Sequence, residues 1–138
     1  MAVCKKSNPI RPVTAQQAKQ IIKNTKDKPV IVKVFAHWCS ACQESDPAAR
    51  EAAGNVCENA EVLALDGDNA FNEAFVQEQK VEAFPTMLAF KNGKRVGKME
   101  GGSSVKSFEH FYTKWNNKFN AMKAKNKPKV NRNKKRSK

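Results

Sequence analysis

Val30-Ile31-Val32-Lys33-Val34-Phe35-Ala36-His37-Trp38-Cys39-Ser40-Ala41-Cys42 is the stretch that decides the fold. Of its first seven residues four are β-branched and six apolar, the pattern of a short central strand buried on both faces. Alternation puts Lys33 on the strand face of Ile31 and Phe35. His37-Trp38 leads into a C-x-x-C pair, and a helical stretch runs on to about Asn59, with Pro47 expected to kink it. A C-x-x-C between a buried strand and a helix points to redox chemistry. Unpaired N–H groups at a helix start stabilise a thiolate at Cys39, and Cys42, one turn on, lies within disulfide reach. Cys39 is the expected nucleophile. Cys42 is the expected resolving thiol, which releases the product from a mixed disulfide.

Outward from this stretch the chain reads as one α/β body. Residues 1–13 form an N-terminal segment with Pro9 and Pro12, irregular or holding one short strand. Thr14 and Gln17 form a capping-box pattern before a helix to about Thr25. Val62–Leu65 is a second apolar strand. Residues 69–80 read as a helix with Phe71, Phe75 and Val76 inward. Thr86–Phe90 and Arg95–Glu100 pair across an Asn92-Gly93 turn, and a helix from about Ser104 carries Val105, Phe108, Phe111, Tyr112 and Trp115. The expected architecture is a central mixed β-sheet flanked by helices on both faces. The domain is expected to span residues 14–122. Residues 123–138 are almost without apolar side chains and read as a disordered tail.

These residues resemble the thioredoxin family over about residues 14–115. Trp38-Cys39-Ser40-Ala41-Cys42 matches its W-C-x-x-C, Pro47 its kink proline, and Phe84-Pro85-Thr86 its cis-proline segment, followed by a strand and Lys91-Asn92-Gly93. Gly101-Gly102 falls where the family has a glycine after the last strand. The resemblance implies a thioredoxin fold and thiol-disulfide oxidoreductase activity on protein disulfides. It further implies a cis Pro85 beside the cysteines and a Phe84 backbone that pairs with an extended substrate segment. Trp38, Phe84, Pro85 and Thr86 are then the substrate-binding set, with Trp38 a shielding lid.

The chain also departs from that family. Ser40-Ala41 replaces the usual Gly-Pro and bears on redox potential. Lys33 stands where the family has a buried acid, and the lysine that accompanies the acid falls on Val62, so the usual pair is absent. The sequence identifies no acidic partner for Lys33. A charged Lys33 would favour a nearby thiolate, which makes Lys33, with Ser40 and Ala41, a redox-tuning residue.

Composition bounds the rest. The 138 residues carry 26 basic and 13 acidic side chains. Residues 114–138 hold 11 of the basic residues and no acid, so the body is nearly neutral and the tail carries the positive field. Four cysteines are too few for a disulfide scaffold, no signal peptide opens the chain, and no segment has the length of a membrane helix. The expected setting is cytoplasmic. The Asn- and Lys-rich usage fits an A/T-rich genome such as that of a large DNA virus or a protist, and a virion-packaged redox protein is one reading if the source is viral. His37 reads as a solvated loop residue, His110 as a residue of the C-terminal helix without function, Cys57 as an inert helix cysteine and Cys4 as a free thiol.

No cofactor is expected, since the thiol pair carries both electrons. No metal is expected either, because Cys4, Cys57, His37 and His110 lack zinc-ligand spacing. The expected partners are disulfide-containing proteins and an upstream reductant or oxidant, with the chain itself a monomer. Lys123–Lys138 could contact nucleic acid or another anionic surface, or serve solubility alone. The competing reading is a non-catalytic interaction module whose basic tail binds a polyanion.

Overall fold

The computed structural model describes residues 9–115. The boundary expected at 122, the tail 123–138 and Cys4 lie outside them. Five strands form one sheet: β1 (Arg11–Val13), β2 (Val30–Phe35), β3 (Glu61–Asp66), β4 (Thr86–Lys91) and β5 (Lys94–Glu100). Their order is β1-β3-β2-β4-β5. β1 and β2 run parallel to β3, whereas β4 runs antiparallel to both β2 and β5. Four helices cover it: α1 (Ala15–Asn24), α2 (Ser40–Asn55), α3 (Glu73–Glu78) and α4 (Val105–Thr113). This is the mixed sheet with helices on both faces that the sequence implied.

Alternation along the central strand divides the interior in two. Val30, Val32 and Val34 join Ala18 and Ile22 of α1 and Phe75 of α3 on one face. Ile31 joins Ala49, Ala52 and Ala53 of α2 and Phe108, Phe111 and Tyr112 of α4 on the other. The three alanines let α2 lie close to the sheet, and the Tyr112 hydroxyl donates to the Ala49 carbonyl at 3.1 Å. Lys33 belongs to this second face and so points at α2.

Local sequence sets the element boundaries. Thr14 caps α1 by accepting from the Gln17 N–H, and Gln17 reciprocates on the Thr14 N–H, as the capping box requires. Asn92-Gly93 joins β4 to β5 with both residues at positive φ.

Three expectations need correction. α2 ends at Asn55 rather than Asn59. Residues 69–80 are not one helix: a 3-10 turn at Ala70–Asn72 precedes α3. The tighter period of that turn brings Asn72 inward, where it accepts from the Ala15 N–H and donates to the Asp66 carbonyl. Phe71 is consequently turned out and is 94% exposed. Finally, Cys57 is not an inert helix cysteine. It lies buried beyond the end of α2 and is held in a disulfide.

Candidate active site

β2 ends at Phe35, and Ala36-His37-Trp38 carries the chain to Cys39, the N-cap of α2. The Cys42 N–H donates to Cys39 Sγ at 3.1 Å, and the Cys39 thiol faces the Phe84 carbonyl at 3.5 Å. The Gln43 side chain ties the loop to the helix by donating to the His37 carbonyl at 2.7 Å. Cys39 and Cys42 are free thiols, and both are buried, at 7% and 4% exposure. Burial, and then the contact with Cys39, pushes the Cys42 thiol up to about 11. An Ala36 backbone hydrogen bond and the charge of Lys33 act in the opposite direction.

The second wall is the 84–86 segment. The Phe84–Pro85 peptide is cis. Pro85 is buried, and its carbonyl accepts from the Gly101 N–H at 2.9 Å. Thr86 is buried too, with its hydroxyl donating to the Ala83 carbonyl and its backbone paired in the sheet, so the Phe84 carbonyl is the group of this segment that faces the thiols. Trp38 packs edge-on against Phe84, with ring centroids 5.8 Å apart, yet stays 66% exposed. Ser40 and Ala41 sit at the surface of the first turn of α2. Every site residue named from the sequence thus lies around one strand-helix junction or the adjoining start of β4.

Sequence reasoning missed Asp46. The Lys33 Nζ donates to Asp46 Oδ1 at 2.7 Å, and the Arg50 Nε donates to Asp46 Oδ2 at 2.7 Å. Lys33 therefore has an acidic partner, against the expectation from the sequence. The sequence signal was the spacing of Cys42, Asp46 and Arg50, which puts all three on one face of a helix. Lys33, Cys42, Asp46 and Arg50 line an open cavity of about 400 Å³. Among the described residues no cluster of His, Cys, Asp and Glu is arranged to hold a metal.

The thioredoxin family model matches residues 9–114. The chain belongs to the thioredoxin family. It is 31% identical over 80 residues to chloroplastic thioredoxin Y1 of Arabidopsis thaliana, a match covering 58% of this chain and 45% of that one. It is 34% identical over 74 residues to a thioredoxin of Mycolicibacterium smegmatis, covering 54% and 66% respectively. The match thus spans less than half the length of the chloroplastic thioredoxin. Among solved structures, the thioredoxin of Fasciola hepatica superposes with a TM-score of 0.65 at 27% identity, covering 75% of this chain and all of that one. As a thioredoxin-family member, the chain keeps the cysteine pair and the proline loop but places a buried cation on β2 and its half-buried acidic partner on α2.

Proposed function

We propose that the protein is a thiol-disulfide oxidoreductase acting on protein disulfides, with Cys39 attacking and Cys42 resolving. One observation carries the reading: two free thiols meet at a helix N-terminus, directly beside the Phe84 carbonyl. The Cys39 thiolate attacks one sulfur of a substrate disulfide, and the other sulfur leaves as a thiolate that takes a proton from water. Cys42 then loses its proton and attacks Cys39 Sγ. The electron pair of the mixed disulfide leaves on the second substrate sulfur, and the enzyme is left oxidised. The Phe84 backbone pairs with an extended substrate, Pro85 and Thr86 hold that backbone in place, and Trp38 borders the surface.

Reduction of insulin disulfides driven by dithiothreitol tests this. The wild-type chain accelerates it and Cys39→Ser abolishes the acceleration; equal rates for the two would remove the reading. A cytoplasmic setting is proposed on composition, and the disulfide at Cys57 counts against it. Binding of a polyanion by Lys123–Lys138 is proposed on charge alone.

A further inference from the structure

Lys33 is the charged residue most deeply placed at the site, with its side chain 5% exposed. An ammonium buried to that degree is costly without a counter-charge, and Asp46 supplies one at 2.7 Å. Asp46 is in turn shared with Arg50, so the three charges sum to one positive charge beside the cavity that Cys42 also lines. Cys42, Asp46 and Arg50 follow one another at four-residue intervals on α2, and Lys33 reaches them from the facing side of β2.

We propose that Asp46 is a positioning residue for the resolving thiol: it fixes the Lys33 ammonium beside Cys42, and that ammonium stabilises the thiolate formed as the mixed disulfide resolves. The proposal takes the exchange reaction above as its setting. In that step Cys42 gives its proton to solvent in the cavity, forms the bond to Cys39 Sγ, and the substrate sulfur departs with the electron pair and takes up a proton. Arg50 holds the far oxygen of Asp46, which keeps the near one turned toward Lys33.

Among the described residues few other ionisable groups stand near Cys42 and its partners, and from α4 the Tyr112 phenol feels the charge of Asp46. Cys39 sits at the helix start. His37, at the mouth of the cavity, is exposed and lies 3.6 Å from Asp66. Ile10, just before β1, Pro12 of β1 and Ala64 of β3 line the opposite wall of the cavity, and none carries charge.

The experiment is an NMR titration of Cys42 with isotope-labelled cysteine, in full-length chains carrying Cys39→Ser. Relative to that background, Lys33→Met should lower the Cys42 thiolate fraction at a fixed pH below its midpoint about tenfold, a shift of one pKa unit. Asp46→Asn should do the same. Without the carboxylate, the ammonium loses the contact that fixes it beside Cys42 and is repelled by the Arg50 guanidinium. Asp46→Glu should restore the fraction to within about twofold, and Lys33→Met with Asp46→Asn should fall no further than Lys33→Met alone.

A Cys42 thiolate that is unchanged or more abundant in Asp46→Asn, or additive losses in the double variant, would overturn the proposal. Should Lys33→Met fail to fold, the Asn and Glu variants of Asp46 decide it between them. The titration needs no turnover. A wild-type chain inert toward insulin would refute the exchange reading while leaving the effect of Asp46 on Cys42 to be judged by NMR.

Discussion

The Phe84 ring lies against the backbone of Gly67. A Cβ at Gly67 would come within 2.6 Å of Phe84 Cε1 and 2.7 Å of Val34 Cγ1. The Gly67 N–H donates to the Phe35 carbonyl at 2.7 Å, so the backbone there is not free to withdraw. Gly67→Ala must therefore push the Phe84 ring or the Val34 side chain aside, and we expect the displaced ring to shift the carbonyl that faces Cys39. We expect a loss of about 1–3 kcal/mol from overpacking. We also expect a several-fold rise in KM for a protein disulfide, with far less change for a small aromatic disulfide that does not need the segment. Urea unfolding and parallel assays on the two substrates would show it, and equal effects on both substrates would contradict it.

The resolving step should speed up with pH. With the Cys42 thiol pushed up to about 11, its thiolate fraction at neutral pH is small. That fraction grows about tenfold per pH unit below the midpoint. Stopped-flow release of a thiol from a preformed Cys39 mixed disulfide should rise with that slope. A flat profile between about pH 7 and pH 9 would mean that a step other than thiolate formation limits release.

Asp46 makes stability depend on acid. Burial alone would raise its carboxyl, but hydrogen bonds from Lys33 and Arg50 outweigh that and hold it below its ordinary 3.8. A carboxyl depressed on folding contributes stability that is present above its unfolded value and lost as pH falls through the folded one. Urea midpoints of the wild type should therefore fall below about pH 4 more steeply than those of Asp46→Asn. Parallel acid limbs in the two proteins would show that the ion pairs add nothing to folding.

Tyr112 joins α4 to α2 through its hydroxyl, and burial pushes that phenol well above the usual range. Tyr112→Phe keeps the ring and deletes the bond to Ala49. The expected cost is about 1 kcal/mol, with insulin reduction unchanged, because the hydroxyl does not line the thiol cavity. A denaturation curve checks the first part. A loss of turnover at full stability would show that α4 reaches the site in a way the geometry does not.

Features carried by short-range rules were legible beforehand. Thr14 and Gln17 announce a cap, Asn92-Gly93 a hairpin, and the alternation of Val30–Phe35 put Lys33 on the face it occupies. The 3-10 turn at Ala70–Asn72 was not legible, since one residue of tighter winding reverses which side chains face in, and Phe71 and Asn72 exchanged places. Asp46 escaped for another reason. Its partner comes from a different element, and no short-range rule links a lysine on a strand to a carboxylate one turn down the helix from Cys42.

The sheet's two rims have a consequence for how copies of the chain meet. β1 is three residues long with Pro12 at its centre, which removes a donor where another strand would have to pair. β5 presents Lys94, Arg95 and Lys98 along the opposite rim. Arg95 and Lys98 are further engaged with the Gln79 and Lys80 carbonyls at the end of α3. A second chain approaching either rim meets a missing N–H or a row of cations, so strand-to-strand aggregation is disfavoured at both ends even when the protein is concentrated.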